Sequence, residues 1–217
     1  MLLSSSSPYM SSPGATINNA ITGATGSNAR ATVADLPAGT GIPLCLIGLG
    51  ANLDSHSGPP LATLKEAVRA LQALSDYPLI VSSAWRSSPV DCPPGSPDFV
   101  NAVAAMLPRC GSDSLALLGS VQQIELDFGR VREEVQNVPR TLDLDLLACG
   151  NIIMNTTVLE LPHPRLHLRG FVLAPLAEIA PGYVPPGQQL SVEKLLETVE
   201  QAGEARPLKV TNDSVSL

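Results

Sequence analysis

The chain has few aromatic residues, no long apolar run and no excess of basic residues. Phe, Trp and Tyr make up 3% of the 217 residues, whereas hydrophobic residues make up 44%, so aliphatic side chains must form most of the core. No segment approaches the roughly 20 apolar residues that a membrane span needs. The net charge of −7 argues against broad binding to nucleic acid or anionic membranes. A few arginines gathered in one cleft would still bind an anionic substrate.

Cysteine is scarce, and its spacing excludes the common thiol sites. The four cysteines stand at positions 45, 92, 110 and 149, too far apart for a CxxC pair. We therefore predict reduced, mostly buried thiols. His163 and His167 have the spacing of zinc-binding helices, but Pro162 and Pro164 disfavour a helix there. No zinc site is expected.

Residues 1–40 differ in composition from the rest of the chain. They are rich in Ser, Gly, Ala and Thr and have no charged residue before Arg30, so they bury too little to fold alone. They lack the features of a secretory signal, and their few arginines disfavour a mitochondrial transit peptide. We predict a flexible tail, or an inaccurately assigned translation start, over 1–40. A folded domain over 43–205 and a polar C-terminal tail over 206–217 would follow.

Hydrophobic periodicity predicts an α+β fold. Apolar runs predict strands at 44–49, 79–85, 99–106 and 142–148, and apolar stripes predict helices at 61–74 and 113–128. This order is typical of a ferredoxin-like βαββαβ sandwich, with a mainly antiparallel sheet and helices packed on one face. Shorter helices are predicted beyond this unit, near 171–179 and 192–199.

The segment Pro139-Arg140-Thr141-Leu142-Asp143-Leu144-Asp145-Leu146-Leu147 carries the strongest chemical signal. Alternate side chains of a strand share a face, so Asp143 and Asp145 should lie side by side, opposite the leucines. Two carboxylates this close repel each other, and a divalent cation removes that penalty. Hard oxygen ligands near arginines favour magnesium with bound phosphate, whereas two solvated acids on an exposed strand are the alternative.

Arginines concentrate around this acidic pair. Half of the ten arginines lie within 40 residues of chain, namely Arg130, Arg132, Arg140, Arg165 and Arg169. Guanidinium forks bind phosphate oxygens bidentately. Together with the two acids they predict polyphosphate transfer, in which positioning and charge neutralisation do most of the work. The chain has no P-loop lysine motif, and its Gly48-Leu49-Gly50 segment lacks the third glycine of a dinucleotide fingerprint, so ATP would bind in another way.

Two further pairs are candidates for binding. Phe99 and Asn101 share one face of a predicted strand, and a flat ring beside a carboxamide suits a planar heterocycle. An ordinary core position is the alternative for Phe99. Gln122 and Glu125 share one face of the second predicted helix, so they are candidates to bind a ligand together. The alternative is an ordinary solvent-exposed side of the helix.

These segments, taken in order, resemble the 6-hydroxymethyl-7,8-dihydropterin pyrophosphokinase family over about residues 46–186. The matching segments are 47–53, 81–89, 97–102, 122–125, 129–130, 139–147, 163–165 and 169–171. The resemblance implies a ferredoxin-like fold and transfer of diphosphate from ATP to the pterin hydroxymethyl group, with release of AMP, in folate biosynthesis.

The resemblance also implies roles for individual residues. The implied catalytic residues are Arg130, Arg140, Asp143 and Asp145, the two aspartates also being ligands of two magnesium ions. The implied ATP-binding residues are Gln122, Glu125, Arg130, Arg140, His163 and Arg169. The implied pterin-binding residues are Ser87, Ser88, Val90, Phe99, Asn101, Asp143 and Phe171. ATP and the dihydropterin are then the small-molecule partners. We further expect a cytoplasmic protein with no nucleic-acid or membrane partner; the sequence does not fix its oligomeric state, for which a monomer is one option.

The loop before Pro139 departs from the family pattern at Glu133, Asn137 and Val138. Because this loop closes over the substrates in the family, the departures put loop closure in doubt. They support the alternative of a non-catalytic pterin- or nucleotide-binding homologue. A phosphotransferase acting on nucleic acid is a third interpretation, disfavoured by the acidic charge and the few aromatic residues.

Overall fold

The computed structural model describes residues 30–109, 111–130, 138–210 and 217. Its strands are β1 (Cys45–Ala51), β2 (Ile80–Val81), β3 (Trp85–Ser87), β4 (Phe99–Met106), β5 (Asp143–Cys149), β6 (Met154–Asn155), β7 (Glu160–Leu161) and β8 (Leu208–Lys209). Its α-helices are α1 (Pro60–Gln72), α2 (Ser114–Asp127), α3 (Gly170–Ile179) and α4 (Val192–Gln201). Short 3-10 helices lie at Val33–Asp35 and Leu166–Leu168.

A six-stranded antiparallel sheet forms the centre of the fold, in the order β5-β1-β4-β3-β8, with β2 also paired to β4. β2 and β3 are two parts of the single strand predicted at 79–85. Between them, Ser82 exchanges hydrogen bonds with Val103: its amide donates to the Val103 carbonyl and its hydroxyl accepts from the Val103 amide, both over 2.9 Å. The predicted ferredoxin-like βαββαβ unit is confirmed.

Helices cover both faces of the sheet. On one face, α1 and α2 pack against alternate residues of β1 such as Cys45 and Ile47, because successive strand side chains point to opposite faces. On the other face, α3 and α4 pack against Leu46 and its neighbours. The prediction of helices on one face was therefore incomplete, since the C-terminal helices build a third layer. No helix in the described ranges is long and apolar enough to cross a bilayer.

Residues from the N-terminal and C-terminal parts of the described chain meet at Glu178 in α3. The carboxylate accepts from the amide of Ser83 (2.8 Å) and from Nε1 of Trp85 (3.2 Å), and it pairs with Lys209 (2.5 Å) and Arg30 (3.3 Å). Burial alone would raise the pKa of Glu178, but the hydrogen bonds from Lys209, Ser83 and Trp85 outweigh it and lower the pKa. Residues from both predicted tails thus pack on the domain.

The prediction of reduced thiols is wrong for two of the cysteines. Cys45 in β1 and Cys149 in β5 form a disulfide, although 104 positions separate them in the chain. The two residues are direct partners in the antiparallel ladder, so sheet register brings them together. Spacing along the chain gives no sign of this pairing. Cys92 is a free thiol, and Cys110 lies outside the described residues.

Candidate active site

Two glycines of β1 open a trough on the face that α3 and α4 cover. Gly48 pairs with Asp145, and Gly50 pairs with Asp143 on one side and with Asn101 on the other. A Cβ atom on Gly50 would lie 3.4 Å from Oδ1 of Asn101 and 3.9 Å from Cβ of Asp143. Glycine therefore keeps clear the space between the acidic strand and β4.

A cavity of about 210 Å³ opens above this trough. Its described lining residues are Gly50, Ser87, Ser88, Val90, Cys92, Phe99, Asn101, Arg130, Arg140, Asp143, Asp145, Arg169 and Phe171. All seven residues assigned to the pterin line it, as do the two metal-binding candidates and three of the arginines. The structure thus brings together residues that lie up to 121 positions apart, from Gly50 to Phe171.

The acidic wall of the cavity is built by β5. Leu142, Leu144 and Leu146 are buried as predicted, while Asp143 and Asp145 face the cavity. Nη1 of Arg130 lies 2.7 Å from Oδ1 of Asp143, and Nη1 of Arg140 lies 3.0 Å from Oδ2 of the same carboxylate. Burial, and then the charge of Asp143, raise the pKa of Asp145 to about 6, against the opposing effect of the nearby arginines.

The end of α2 aims Arg130 at this wall. The helix ends in a Schellman motif: Gly129, with φ of 82°, donates to the Leu126 carbonyl, and the Arg130 amide donates to the Glu125 carbonyl over 3.0 Å. The Glu125 side chain is 2% exposed and accepts from the guanidinium of Arg130 and, over 2.7 Å, from the amide of Leu144. Glu125 therefore joins α2 to β5 and orients Arg130, and it does not line the cavity.

The opposite wall presents a carboxamide and two aromatic rings. Nδ2 of Asn101 donates to the hydroxyl of Ser87 over 2.9 Å, which holds the carboxamide in one orientation. Phe99 begins β4 on the same face as Asn101, as predicted. The guanidinium carbon of Arg169 lies 5.3 Å from the ring centre of Phe171, a cation–π arrangement that fixes both side chains.

Two other predicted residues are not among the residues that line the cavity. Gln122 is part of α2 and partly buried, and His163 lies ahead of α3. Nδ1 of His163 accepts from the amide of Arg165 over 3.1 Å. Burial and the charges of Arg169 and Arg165 lower the pKa of His163 to about 4, so its ring is neutral near pH 7.

Part of the predicted site lies outside the described residues. Arg132, Glu133 and Asn137 belong to the segment 131–137, of which the structure gives no description. Val138 is described, and its carbonyl accepts from Nε of Arg140 over 3.2 Å.

Sequence reasoning did not assign three residues that contribute to the site. Gly50 forms the floor of the trough and Cys92 lines the cavity. Asn52 binds the backbone of Arg140 just before the acidic strand. Gly50 and Asn52 belong to the matching segment 47–53, so a signal was present for both. For Cys92 we find none.

Known proteins have sequences related to this chain. A family model described as 7,8-dihydro-6-hydroxymethylpterin-pyrophosphokinase (HPPK) matches residues 46–181. The 2-amino-4-hydroxy-6-hydroxymethyldihydropteridine pyrophosphokinase of Synechocystis is 37% identical over 155 residues, which cover 71% of this chain and 75% of that protein. The protein of the same name from Haemophilus influenzae is 37% identical over 164 residues, covering 76% of this chain and 96% of that protein.

Solved structures give the same fold at much lower identity. The crystal structure of Plasmodium falciparum HPPK-DHPS wild type with pteroate superposes with a TM-score of 0.56 at 11% identity, over 72% of this chain and 44% of that chain. The present chain thus spans less than half of that protein, and the likeness concerns the fold alone. The family model and the bacterial relatives carry the assignment: the chain belongs to the 7,8-dihydro-6-hydroxymethylpterin-pyrophosphokinase family.

Proposed function

We propose that this pyrophosphokinase transfers the terminal diphosphate of ATP to the hydroxymethyl group of 6-hydroxymethyl-7,8-dihydropterin within the cavity on Gly50. One observation carries the proposal. An acidic and arginine-rich wall suited to a polyphosphate faces a carboxamide and aromatic wall suited to a planar heterocycle, across a side-chain-free floor. A diphosphate donor and a pterin acceptor would then meet at Asp143.

The pterin is assigned to the wall formed by β3, β4 and α3. Phe99 and Phe171 would contact the faces of the ring, and Asn101, held by Ser87, would read its polar edge. Ser88 and Val90 complete this wall. Asn101 donates one of its two N–H groups to Ser87, which leaves its Oδ1 and its second N–H to bind the polar edge of the heterocycle.

The triphosphate is assigned to the arginines. Arg130, Arg140 and Arg169 line the cavity, and their guanidinium groups suit phosphate oxygens. Gln122 and His163 are proposed as further contacts to the nucleotide. Glu125 contributes indirectly, because its buried carboxylate orients Arg130.

Magnesium fits the acidic wall. Asp143 and Asp145 are two positions apart and share one face of the strand. The raised pKa of Asp145 means that its ionised form is disfavoured, and a cation would relieve this cost. Among the described residues no cluster of three or more His, Cys, Asp or Glu is placed to hold a metal ion, so phosphate oxygens and water would complete the shell, as is usual for magnesium. Two bound ions would supply neutralisation of phosphate charge.

The protein's own contribution is positioning and charge. The pterin hydroxyl oxygen forms a bond to the β-phosphorus of ATP and releases its proton to solvent. The bond between that phosphorus and the oxygen bridging to the α-phosphate breaks, and AMP leaves with that oxygen. Arg130 and Arg140 neutralise the charge that builds on the transferred group. Both arginines contact Asp143, so substrate binding must redistribute these ion pairs.

The test is an assay of AMP release with ATP, magnesium and 6-hydroxymethyl-7,8-dihydropterin. The wild type should release one AMP for each pterin converted, and Asp143→Asn and Asp145→Asn should lose activity by several orders of magnitude while circular dichroism stays unchanged. The alternative, a non-catalytic homologue, would bind both ligands in calorimetry and release no AMP. Near-normal rates in either aspartate variant would contradict the assigned site.

The proposal includes a monomer in the cytoplasm. The Cys45–Cys149 disulfide argues against the cytoplasmic location, because disulfides are rare in that compartment. Sedimentation of the purified protein and thiol counting on protein from freshly lysed cells test these two parts.

A further inference from the structure

Asn52 lies directly after β1 and is 4% exposed. Its carboxamide bonds two chain segments: Oδ1 accepts from the amide of Arg140 over 2.8 Å, and Nδ2 donates to the carbonyl of Pro97 over 3.2 Å. The main chain adds a second link, because the amides of Asn52 and Leu53 both donate to the Arg140 carbonyl, over 3.1 and 3.2 Å.

The two segments lead into opposite walls of the cavity. Arg140 precedes β5, and its guanidinium contacts Asp143. Pro97 precedes β4, which begins with Phe99 and carries Asn101. The Arg140 amide lies outside the strand, so the Asn52 side chain supplies the acceptor that a sheet neighbour would otherwise provide. One buried carboxamide thus sets how the two walls are spaced.

We propose that Asn52 is a positioning residue that couples the nucleotide wall to the pterin wall. This inference rests on the function proposed above. The position requires one group that accepts from an N–H and donates to a C=O at the same time, which a carboxamide does and a carboxylate does not. Because the site is buried, loss of either bond leaves a backbone group unpaired and lets that wall move.

The two bonds can be separated by substitution. Asn52→Asp keeps the acceptor for Arg140 and places an oxygen against the Pro97 carbonyl, so KM for the pterin should rise roughly tenfold while KM for ATP changes less than twofold. Asn52→Ala removes both bonds, and both KM values should rise roughly tenfold. Ser75→Ala is the matched control, since it deletes buried bonds to the carbonyls of Leu107 (2.7 Å) and Tyr77 (2.9 Å) away from the cavity.

Equal changes of the two KM values in Asn52→Asp would overturn the proposal, as would an Asn52→Ala variant that behaves like Ser75→Ala. If the alanine variant does not fold, the aspartate variant decides alone. Amide hydrogen exchange gives a readout independent of turnover: the Arg140 amide should exchange faster in Asn52→Ala but not in Asn52→Asp. Unchanged exchange in Asn52→Ala would overturn the coupling. A wild type that releases no AMP would contradict only the proposed function.

Discussion

Arg130 donates to Asp143 over 2.7 Å, and this ion pair distinguishes Asp143 from Asp145, the second acid of β5. Asp143 also forms an ion pair with Arg140, whereas Asp145 forms no ion pair within 4.0 Å among the residues that the structure describes. Its carboxylate is partly buried and lies beside a like charge. The protein without ligands therefore carries an electrostatic strain at Asp145, which we expect to be measurable in its stability.

Asp145→Asn should stabilise the metal-free protein above neutral pH. The pKa of Asp145 is raised from 3.8 to about 6, so between these values the folded state keeps a proton that the unfolded state has lost. The cost of the charge is therefore absent below about pH 4 and fully present above about pH 6. We expect a gain of about 3 kcal/mol at pH 8 that disappears near pH 4, since one pKa unit corresponds to about 1.4 kcal/mol.

Urea denaturation in the presence of a chelator measures this effect. Asp98→Asn, at an exposed position, controls for the loss of one negative charge. A variant that is less stable than the wild type at pH 8 would show that the Asp145 carboxylate is satisfied in the free protein.

The disulfide between Cys45 and Cys149 should contribute strongly to stability. It ties β5 to β1 and closes a loop across 104 positions of chain, so it restricts the unfolded state. The double variant Cys45→Ala/Cys149→Ala should lose about 2–4 kcal/mol of unfolding free energy. Denaturation with and without a reductant measures the same quantity in the wild type. Cys92→Ser is the control, and a count of four free thiols in the native protein would contradict the pairing.

Glu178→Gln should destabilise the packing of α3 on the sheet by about 2 kcal/mol, because charge-assisted hydrogen bonds are lost. The lowered pKa of Glu178 means that its contribution is present above the unfolded value of 4.5 and is lost as the pH falls. The variant and the wild type should therefore converge in acid.

Trp85 is the chain's single tryptophan and donates to Glu178, so its fluorescence reports unfolding at this point. Glu197→Gln is the matched control, since Glu197 pairs with Lys194 on an exposed helix face and should cost less than about 0.5 kcal/mol. Equal losses of unfolding free energy in the two variants would show that Glu178 contributes no more to stability than an exposed ion pair.

Removal of residues 1–36 should cost more stability than removal of residues 1–29. The longer deletion takes away Arg30, which contacts Glu178 and the Val81 carbonyl, and Val33 and Leu36, which pack on the second hydrophobic cluster. We expect a difference of several degrees in melting temperature, because about 1 kcal/mol shifts a domain of this size by a few degrees. Identical melting curves would show that these contacts contribute nothing.

Local patterns were sufficient for much of the fold and for the core of the site. Period-two alternation placed Leu144 inside and Asp145 on the cavity, and the 99–106 strand has the predicted bounds. Such patterns follow from the geometry of single elements, which depends on neighbouring residues. The pterin wall was predicted from the resemblance, residue by residue, and these residues line one cavity.

The sequence by itself determined the order of elements, the acidic pair and the family. Tertiary structure alone decided which distant residues became partners: Cys45 with Cys149, Glu125 with Leu144, and Asn52 with Arg140. Each pairing depends on strand register or on helix placement across many positions of chain, and no local period encodes either. The positions of α3 and α4 were decided in the same way, because an apolar helix face does not specify which side of a sheet it will cover.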